Sequence, residues 1–205
     1  QNDRLQSLAH TMSPDERDAV LSAYVGERGN RRHKPGRAFE RTGYRFDVLC
    51  DYGAFRDLQR HRLLTLESQR LSPGHGFDTP DVIADAGMTE EWNRVMEDSA
   101  ATWATLSEHA GEDVAQYSVA MAYRIRFVMQ MSAREAMHLI ELRSSPQGHP
   151  TYRRVAQQMH DLIEKNAGHR AIARTMTYLD TSDVDLERLE AERRAEAKRK
   201  AARAG

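Results

Sequence analysis

The chain contains one cysteine, few aromatic residues and almost no excess charge of either sign. Among its 205 residues Cys50 is the only cysteine, aromatic residues make up 7%, and 30 Lys and Arg stand against 31 Asp and Glu. A single cysteine excludes an intrachain disulfide and a cysteine-rich zinc site. A net charge of −1 provides no overall positive field that would attract nucleic acid. We therefore expect no nucleic-acid partner, and any anion-binding site has to be local.

Long apolar runs are also missing. No run approaches the roughly 20 apolar residues that span a bilayer, and no basic start is followed by an apolar stretch. Hydrophobic residues make up 40% of the chain and charged residues 30%, which suits a core surrounded by a charged, helix-rich surface. We expect a cytoplasmic protein with no membrane partner. The chain starts with Gln1 rather than Met, which is compatible with a piece of a longer polypeptide.

Three patterns organise the first quarter of the chain. Ser13 and Glu16 form a capping box, which predicts a helix as far as Val25. Residues 26–36 are rich in Gly and Arg and have no apolar period, so they are predicted as a loop. Residues 44–50 mostly alternate between apolar and polar, with Leu49 as the exception, which predicts a strand with Cys50 in a sheet.

The remaining chain reads mainly as helix. We predict a helix over 53–62, closed by an Arg-His-Arg triplet, and either a helix or a short strand at Thr65 and Leu66 over 63–73. Thr89 is expected to cap a helix that ends near Gly111. Residues 113–142 read as helical, as one helix or as two that meet near 131–132.

The last third of the chain is predicted to contain one more buried helix and a charged end. Its buried positions are expected to be Val155, Met159, Leu162 and Ile163. Residues 181–205 are predicted as a solvated helix or tail that is capped at Ser182 or Asp183. From residue 186 onward its only large apolar residues are Leu186 and Leu189.

Two cationic clusters are candidates for anion binding. The first is the triplet Arg60, His61 and Arg62, and the second is Arg134, His138 and Arg143, where a spacing of four puts the first two on one helix face. Guanidinium groups bind phosphates with paired donors. The alternative interpretation is that both clusters lie on solvent-exposed helix faces and form ordinary ion pairs, since such faces contain the same residue types.

Metal and thiol chemistry have weaker support. Glu135 and His138 stand three residues apart, as in di-iron bundles, but no second Glu-x-x-His pair exists, so we expect no metal. Cys50 lies in an apolar strand with no neighbouring His in the sequence, which is typical of a packing residue rather than a nucleophile.

Two segments resemble the flavin-dependent thymidylate synthases, the ThyX family. The run YRFDVLCDYGAFRDLQRHR, residues 44–62, is similar to the strand, helix and RHR triplet that open the family's signature motif. The run SAREAMHLIELR, residues 132–143, is similar to the family's N-x-R-x-x-x-(N/H)-F-x-x-L-R stretch. The resemblance covers about residues 37–180. It implies three regions: an N-terminal helix and linker over 1–36, a ThyX-like domain over 37–180, and a charged helix or tail over 181–205.

The resemblance implies an α+β fold with a central twisted, largely antiparallel sheet flanked by helices. It also implies a homotetramer whose active sites lie between subunits. FAD would be the cofactor, NADPH the reductant and methylenetetrahydrofolate the carbon donor in the methylation of dUMP to dTMP. No active-site cysteine is required, which agrees with a structural Cys50.

The resemblance also implies site residues. The predicted FAD contacts are Arg60, His61, Arg62, Thr65, Arg134, His138 and Leu142. The predicted substrate contacts are Glu67, Ser68, Arg70 and Arg143, of which Arg143 reaches the nucleotide phosphate and base and is the predicted catalytic residue.

This chain departs from the family pattern at substrate positions. After the triplet, Glu67, Ser68, Arg70 and Ser72 replace the usual Asn, Glu, Ser and Arg. Arg41 stands where the family has His, and Ser132 where Asn is usual. Two functions remain open: a ThyX-like enzyme, or a catalytically degenerate ThyX-fold domain with an assembly or regulatory role. The second would suit the C-terminal half of a tandem protein that contains another ThyX-like half.

Overall fold

A computed structural model describes residues 2–182, 193–194, 196–197 and 200. In chain order its elements are α1 (Asn2–Thr11), α2 (Pro14–Val25), β1 (Gly43–Asp51), α3 (Tyr52–Leu58), β2 (Leu64–Ser68), α4 (Asp81–Asp85), α5 (Thr89–Ala110), α6 (Glu112–Ala115), β3 (Arg124–Ser132), α7 (Ala133–Arg143), α8 (Pro150–Asp161) and α9 (Arg170–Arg174). Short 3-10 turns occupy Arg37–Glu40, Pro73–His75 and Gln116–Ser118, and a π-turn follows α8 at Leu162–Asn166. None of the described helices is both long and apolar enough to cross a membrane. The predicted cap Asp183 and the apolar residues Leu186 and Leu189 lie outside the described residues.

The chain divides into two compact units. The first contains the described residues of Gln1–Tyr44 and Met131–Gly205, and the second contains Arg45–Gln130. The first unit therefore includes α1, α2 and α7 to α9, whereas the second includes α3 to α6, β2 and most of β1 and β3.

The sheet has the strand order β1-β3-β2. The Ala133 N–H donates to the Thr42 carbonyl at 2.7 Å, and the Tyr52 N–H donates to the Tyr123 carbonyl at 2.9 Å. The start of β1 therefore lies beside the end of β3, so the two strands are antiparallel. The predicted α+β class with a largely antiparallel sheet is confirmed.

One face of the sheet is buried, and the sequence pattern explains why. In β1 the residues Tyr44, Phe46, Val48 and Cys50 are each at most 8% exposed, whereas the alternate residues are exposed. Successive side chains of a strand point to opposite faces, so an apolar period of two buries one face and leaves the other in water. The predicted strand over 44–50 is confirmed.

The helical interpretation of 113–142 is wrong for its central part. Residues 124–132 form β3, in which Ile125, Phe127, Met129 and Met131 are at most 4% exposed. The helical interpretation used Ala115, Val119, Tyr123 and Phe127, which recur at a spacing of four. Tyr123, Ile125, Phe127, Met129 and Met131 recur at a spacing of two, and three of these five are β-formers. Within the predicted range, α-helix is present at the two ends, in α6 and in α7, where the Ser132 hydroxyl accepts from the Glu135 N–H at 3.3 Å.

The helix predicted over 53–62 is also too long. Helix α3 starts one residue earlier, capped by the Asp51 carboxylate on the Ala54 N–H at 2.8 Å, and ends at Leu58. The His61 N–H donates to the Leu58 carbonyl at 3.3 Å in a turn, so the triplet follows the helix instead of closing it. After Leu58 the chain has only polar residues up to Arg62 and no apolar side chain to pack another helical turn.

Helices α2, α5 and α8 agree with the predictions apart from two details, whereas α1, α4 and α9 were not predicted. Helix α5 ends at Ala110 as expected, but its N-cap is Met88 without a side-chain bond, so Thr89 is not the cap. For residues 63–73 the prediction left a helix and a short strand open, and the strand is correct, because β2 lies there. Leu162 is 44% exposed and not buried, because Ile163 continues the buried spacing of four from α8 into the π-turn.

Candidate functional site

Helix α7 buries most of its surface and leaves one narrow stripe open. Seven of its eleven residues are buried. The four that stay partly exposed are Arg134, His138, Leu142 and Arg143. A spacing of four aligns the first three along one face, and Arg143 follows in the last turn. The stripe therefore carries two guanidinium groups and an imidazole, which are donors suited to phosphate and other anions.

Backbone and carboxylate groups of the preceding loop hold the Arg134 side chain. Its Nε donates to the Pro35 carbonyl at 2.9 Å, and its Nη1 lies 3.3 Å from Oε1 of Glu40. The other oxygen of Glu40 accepts from Nε of Arg37 at 3.0 Å. Arg134 is thus fixed in direction by two groups, while 27% of its side chain is exposed.

Arg143 packs on an aromatic ring. Its guanidinium carbon lies 5.4 Å from the ring centroid of Tyr152 on α8. A cation–π contact does not itself use the N–H donors with which a guanidinium group recognises phosphate. The contact with Tyr152 therefore orients Arg143 in a way that is compatible with anion binding.

The second unit contains the triplet. Arg60 and Arg62 are exposed, and His61 is 8% exposed, so the imidazole points inward and the guanidinium groups outward. Arg60 lies 3.4 Å from the Asp57 carboxylate and donates to the Arg56 carbonyl at 3.3 Å, with 66% of its side chain exposed. One member of the triplet is therefore held in the protein while two remain accessible from solvent.

The predicted substrate residues of the second unit lie on and after β2. Thr65, Glu67 and Ser68 are exposed on the strand. Arg70 follows it and forms ion pairs with Glu112 and Asp113, each at 3.1 Å, with 61% of its side chain exposed. A nucleotide phosphate would have to compete with these two carboxylates for Arg70.

Comparison with known proteins gives the family. The family model described as thymidylate synthase complementing protein matches residues 5–167. The chain belongs to this family. It is 40% identical over 193 residues to a UPF0159 protein of Thermoplasma acidophilum, a match that covers 94% of this chain and 38% of that protein.

UPF0159 proteins of two Chlamydia species are similar to the same extent. The protein of Chlamydia pneumoniae is 40% identical over 178 residues, covering 86% of this chain and 33% of that protein. The protein of Chlamydia muridarum is 38% identical over 179 residues, covering 87% and 33%. The chain therefore spans only about a third to two fifths of the length of these relatives.

The family motif on α7 also contains a residue that the sequence analysis did not single out as functional. Glu141 is 1% exposed, and both its carboxylate oxygens lie 2.5 Å from the guanidinium of Arg28. Arg28 belongs to the segment predicted as a loop without periodic pattern, 113 residues away in the chain. The only sequence signal is a carboxylate among the apolar positions of α7, which requires a buried partner.

Proposed function

We propose that this chain serves flavin-dependent methylation of dUMP to dTMP, with FAD as cofactor, methylenetetrahydrofolate as carbon donor and NADPH as reductant. The family match supports thymidylate synthase function and flavin dependence in general. The observation on which the proposal rests is the open stripe of α7. The residues of α7 that remain partly exposed are those that the family motif assigns to flavin and nucleotide.

Within the first unit, each residue of the stripe has a proposed role. Arg134, His138 and Leu142 would line the flavin, with Leu142 as the apolar contact for its ring system. Arg143 would bind the nucleotide phosphate and stabilise negative charge that develops on the pyrimidine. Bound FAD would supply the redox chemistry of the transfer, and the chain's own residues would bind and orient the reactants.

Within the second unit, Arg60, His61, Arg62 and Thr65 are the proposed flavin contacts. The outward direction of Arg60 and Arg62 is compatible with phosphate binding. Glu67, Ser68 and Arg70 are the proposed substrate contacts, and all three are exposed.

The state of Cys50 supports a reaction without a cysteine nucleophile. Burial in β1, together with the adjacent Asp51 carboxylate, raises the pKa of Cys50 to about 12. The thiol is therefore protonated at neutral pH and is a poor nucleophile. Folate-only thymidylate synthesis depends on an activated cysteine, so the flavin-dependent route is the better fit.

The alternative function is a degenerate ThyX-fold domain with an assembly or regulatory role. The ion pairs of Arg70 with Glu112 and Asp113 favour it, because they occupy a predicted substrate residue. The two functions differ in ligand binding. The enzyme binds FAD and a nucleotide, whereas the degenerate domain fails to bind one of them or both.

Titration of the purified chain with FAD, with and without dUMP, tests the proposal. We expect binding that quenches flavin fluorescence and a further spectral change on addition of dUMP. Absence of flavin binding by a folded chain would overturn the proposed enzyme and favour the degenerate domain.

Paired substitutions then test the residue roles. Arg143→Ala is expected to weaken dUMP binding about tenfold or more, because a charge-assisted pair of hydrogen bonds is lost. Arg154→Ala, at an exposed position of α8, is the matched control and should leave dUMP binding unchanged. Arg60→Ala is expected to weaken FAD, with exposed Arg45→Ala as its control. Unchanged dUMP affinity in Arg143→Ala would refute the assignment of that residue.

A further inference from the structure

The side chain of Arg28 forms a buried ion pair with Glu141. Its Nη1 and Nη2 bind the two oxygens of Glu141 at 2.5 Å each, and the two side chains are 4% and 0% exposed. This fork-to-fork geometry is the strongest form of an arginine–carboxylate pair. The pair lies wholly within the first unit.

The same guanidinium also holds the loop that contains it. Its Nε donates to the His33 carbonyl at 2.8 Å, and its Nη2 donates to the Arg31 carbonyl at 3.2 Å. Its guanidinium carbon lies 5.1 Å from the ring centroid of Tyr178, and the Tyr178 hydroxyl donates to the Arg28 carbonyl at 2.7 Å. One side chain thus closes the loop on itself and ties it to Glu141.

The far end of this loop contacts Arg134. Pro35 lies two residues after His33 in the chain, and its carbonyl accepts from Nε of Arg134. The loop therefore contacts α7 twice, through Arg28 at Glu141 in the last turns and through Pro35 at Arg134 in the first turn. The two contacts are seven residues apart on the helix, about 10 Å at 1.5 Å per residue.

We infer that residues 28–36 act as a splint, meaning a segment that is fixed to α7 at both of its ends. Arg28 is then a positioning residue, which sets the direction of the Arg134 side chain through this segment. The inference rests on the proposed function only where it concerns flavin binding. A side chain held in its binding direction before the ligand arrives loses less conformational freedom on binding. Arg28 therefore contributes to flavin affinity without contacting the flavin.

Arg28→Lys is the main test variant. Lysine keeps the positive charge beside Glu141 but replaces the planar fork by a single ammonium group, which cannot serve the carboxylate and both loop carbonyls together. We expect the chain to fold, the Pro35–Arg134 contact to loosen, and FAD affinity to fall about tenfold. Ile163→Ala is the matched control, because it removes buried apolar volume and no polar group.

The first readout does not depend on any ligand. Nitrogen-15 NMR of arginine Nε–H groups, with the Arg134 signal assigned by its loss in Arg134→Ala, reports the bond to Pro35. We expect exchange of this proton with water to be at least about tenfold faster in Arg28→Lys than in the parent, and unchanged in Ile163→Ala. An unchanged exchange rate in Arg28→Lys would overturn the inference that residues 28–36 act as a splint.

The second readout is a double-mutant cycle on FAD affinity. If Arg28 acts through Arg134, the double variant Arg28→Lys, Arg134→Ala binds FAD no more weakly than Arg134→Ala alone. Multiplied losses would overturn the inference. Failure of the parent chain to bind FAD would instead refute the proposed function. The exchange measurement would still decide whether residues 28–36 act as a splint.

A milder variant keeps the inference testable if Arg28→Lys does not fold. Tyr178→Phe removes only the hydroxyl that binds the Arg28 carbonyl and keeps the ring beside the guanidinium. We expect faster exchange of the Arg134 Nε–H proton in this variant too, by a smaller factor. Unchanged exchange in Tyr178→Phe together with an unfolded Arg28→Lys would overturn the inference.

Discussion

At the scale of single residues, Cys50 shows how position in the fold decides chemical behaviour. The alternation of β1 predicts that its side chain faces the core, and it is 8% exposed. Burial disfavours the thiolate more strongly than any neighbour favours it, which is why its pKa rises to about 12. A cysteine in this setting contributes packing rather than catalysis.

The thiol should therefore be unreactive in the native chain. We expect iodoacetamide at pH 8 to modify Cys50 far more slowly in the folded chain than in urea, since only the thiolate reacts. Because the folded pKa of about 12 exceeds the reference value of 9.0, the stability contributed by Cys50 is fully present below pH 9 and is lost as pH rises toward 12. Cys50→Ala should lose less stability over that interval. Equal modification rates in the folded and unfolded chain would contradict the burial argument.

At the scale of elements, β3 is the decisive case, because its sequence also fits a helix. Met129 is 0% exposed and its neighbour Gln130 is exposed. In a strand these two side chains point to opposite faces. A substitution that adds charge should then have opposite consequences at adjacent positions.

We predict that Met129→Lys destabilises the chain by about 3 kcal/mol or more, because an unpaired charge would be buried in the core. Gln130→Lys should change the free energy of unfolding by less than about 0.5 kcal/mol, as is usual for surface positions. Urea unfolding followed by circular dichroism measures both. A large loss of stability in Gln130→Lys would contradict the observed alternation.

Local patterns predicted the elements that depend on local interactions. The capping box at Ser13 and Glu16 is present, and the spacing of four predicted that Arg134 and His138 share one face of α7. The strand β3 was missed because Tyr123 and Phe127 fit a period of four as well as a period of two, and the sheet pairing that decides between them joins residues distant in sequence. The Arg28–Glu141 pair was missed for the same reason, since neither residue has a local partner that reveals it.

At the scale of the whole molecule, the surface retains large apolar side chains. Tyr117 is 93% exposed, and Leu63 and Val82 are each 66% exposed. Singly exposed apolar residues are common, so they do not by themselves define an interface. These side chains would be available for subunit contacts in the predicted homotetramer, in which flavin sites would lie between subunits.

Assembly and flavin binding should then depend on one another. We predict that light scattering gives a mass of about four chains at micromolar concentration, because the family resemblance implies a homotetramer and such assemblies have closed symmetry. On dilution, dissociation of the tetramer should release FAD, because each site would lose residues supplied by a neighbouring chain, and added FAD should shift the dissociation to lower protein concentration. A monomer that binds FAD with the same affinity at every protein concentration would contradict sites between subunits. A monomer that binds no FAD until the remaining part of a full-length relative is added would instead indicate that a second ThyX-like half completes the site.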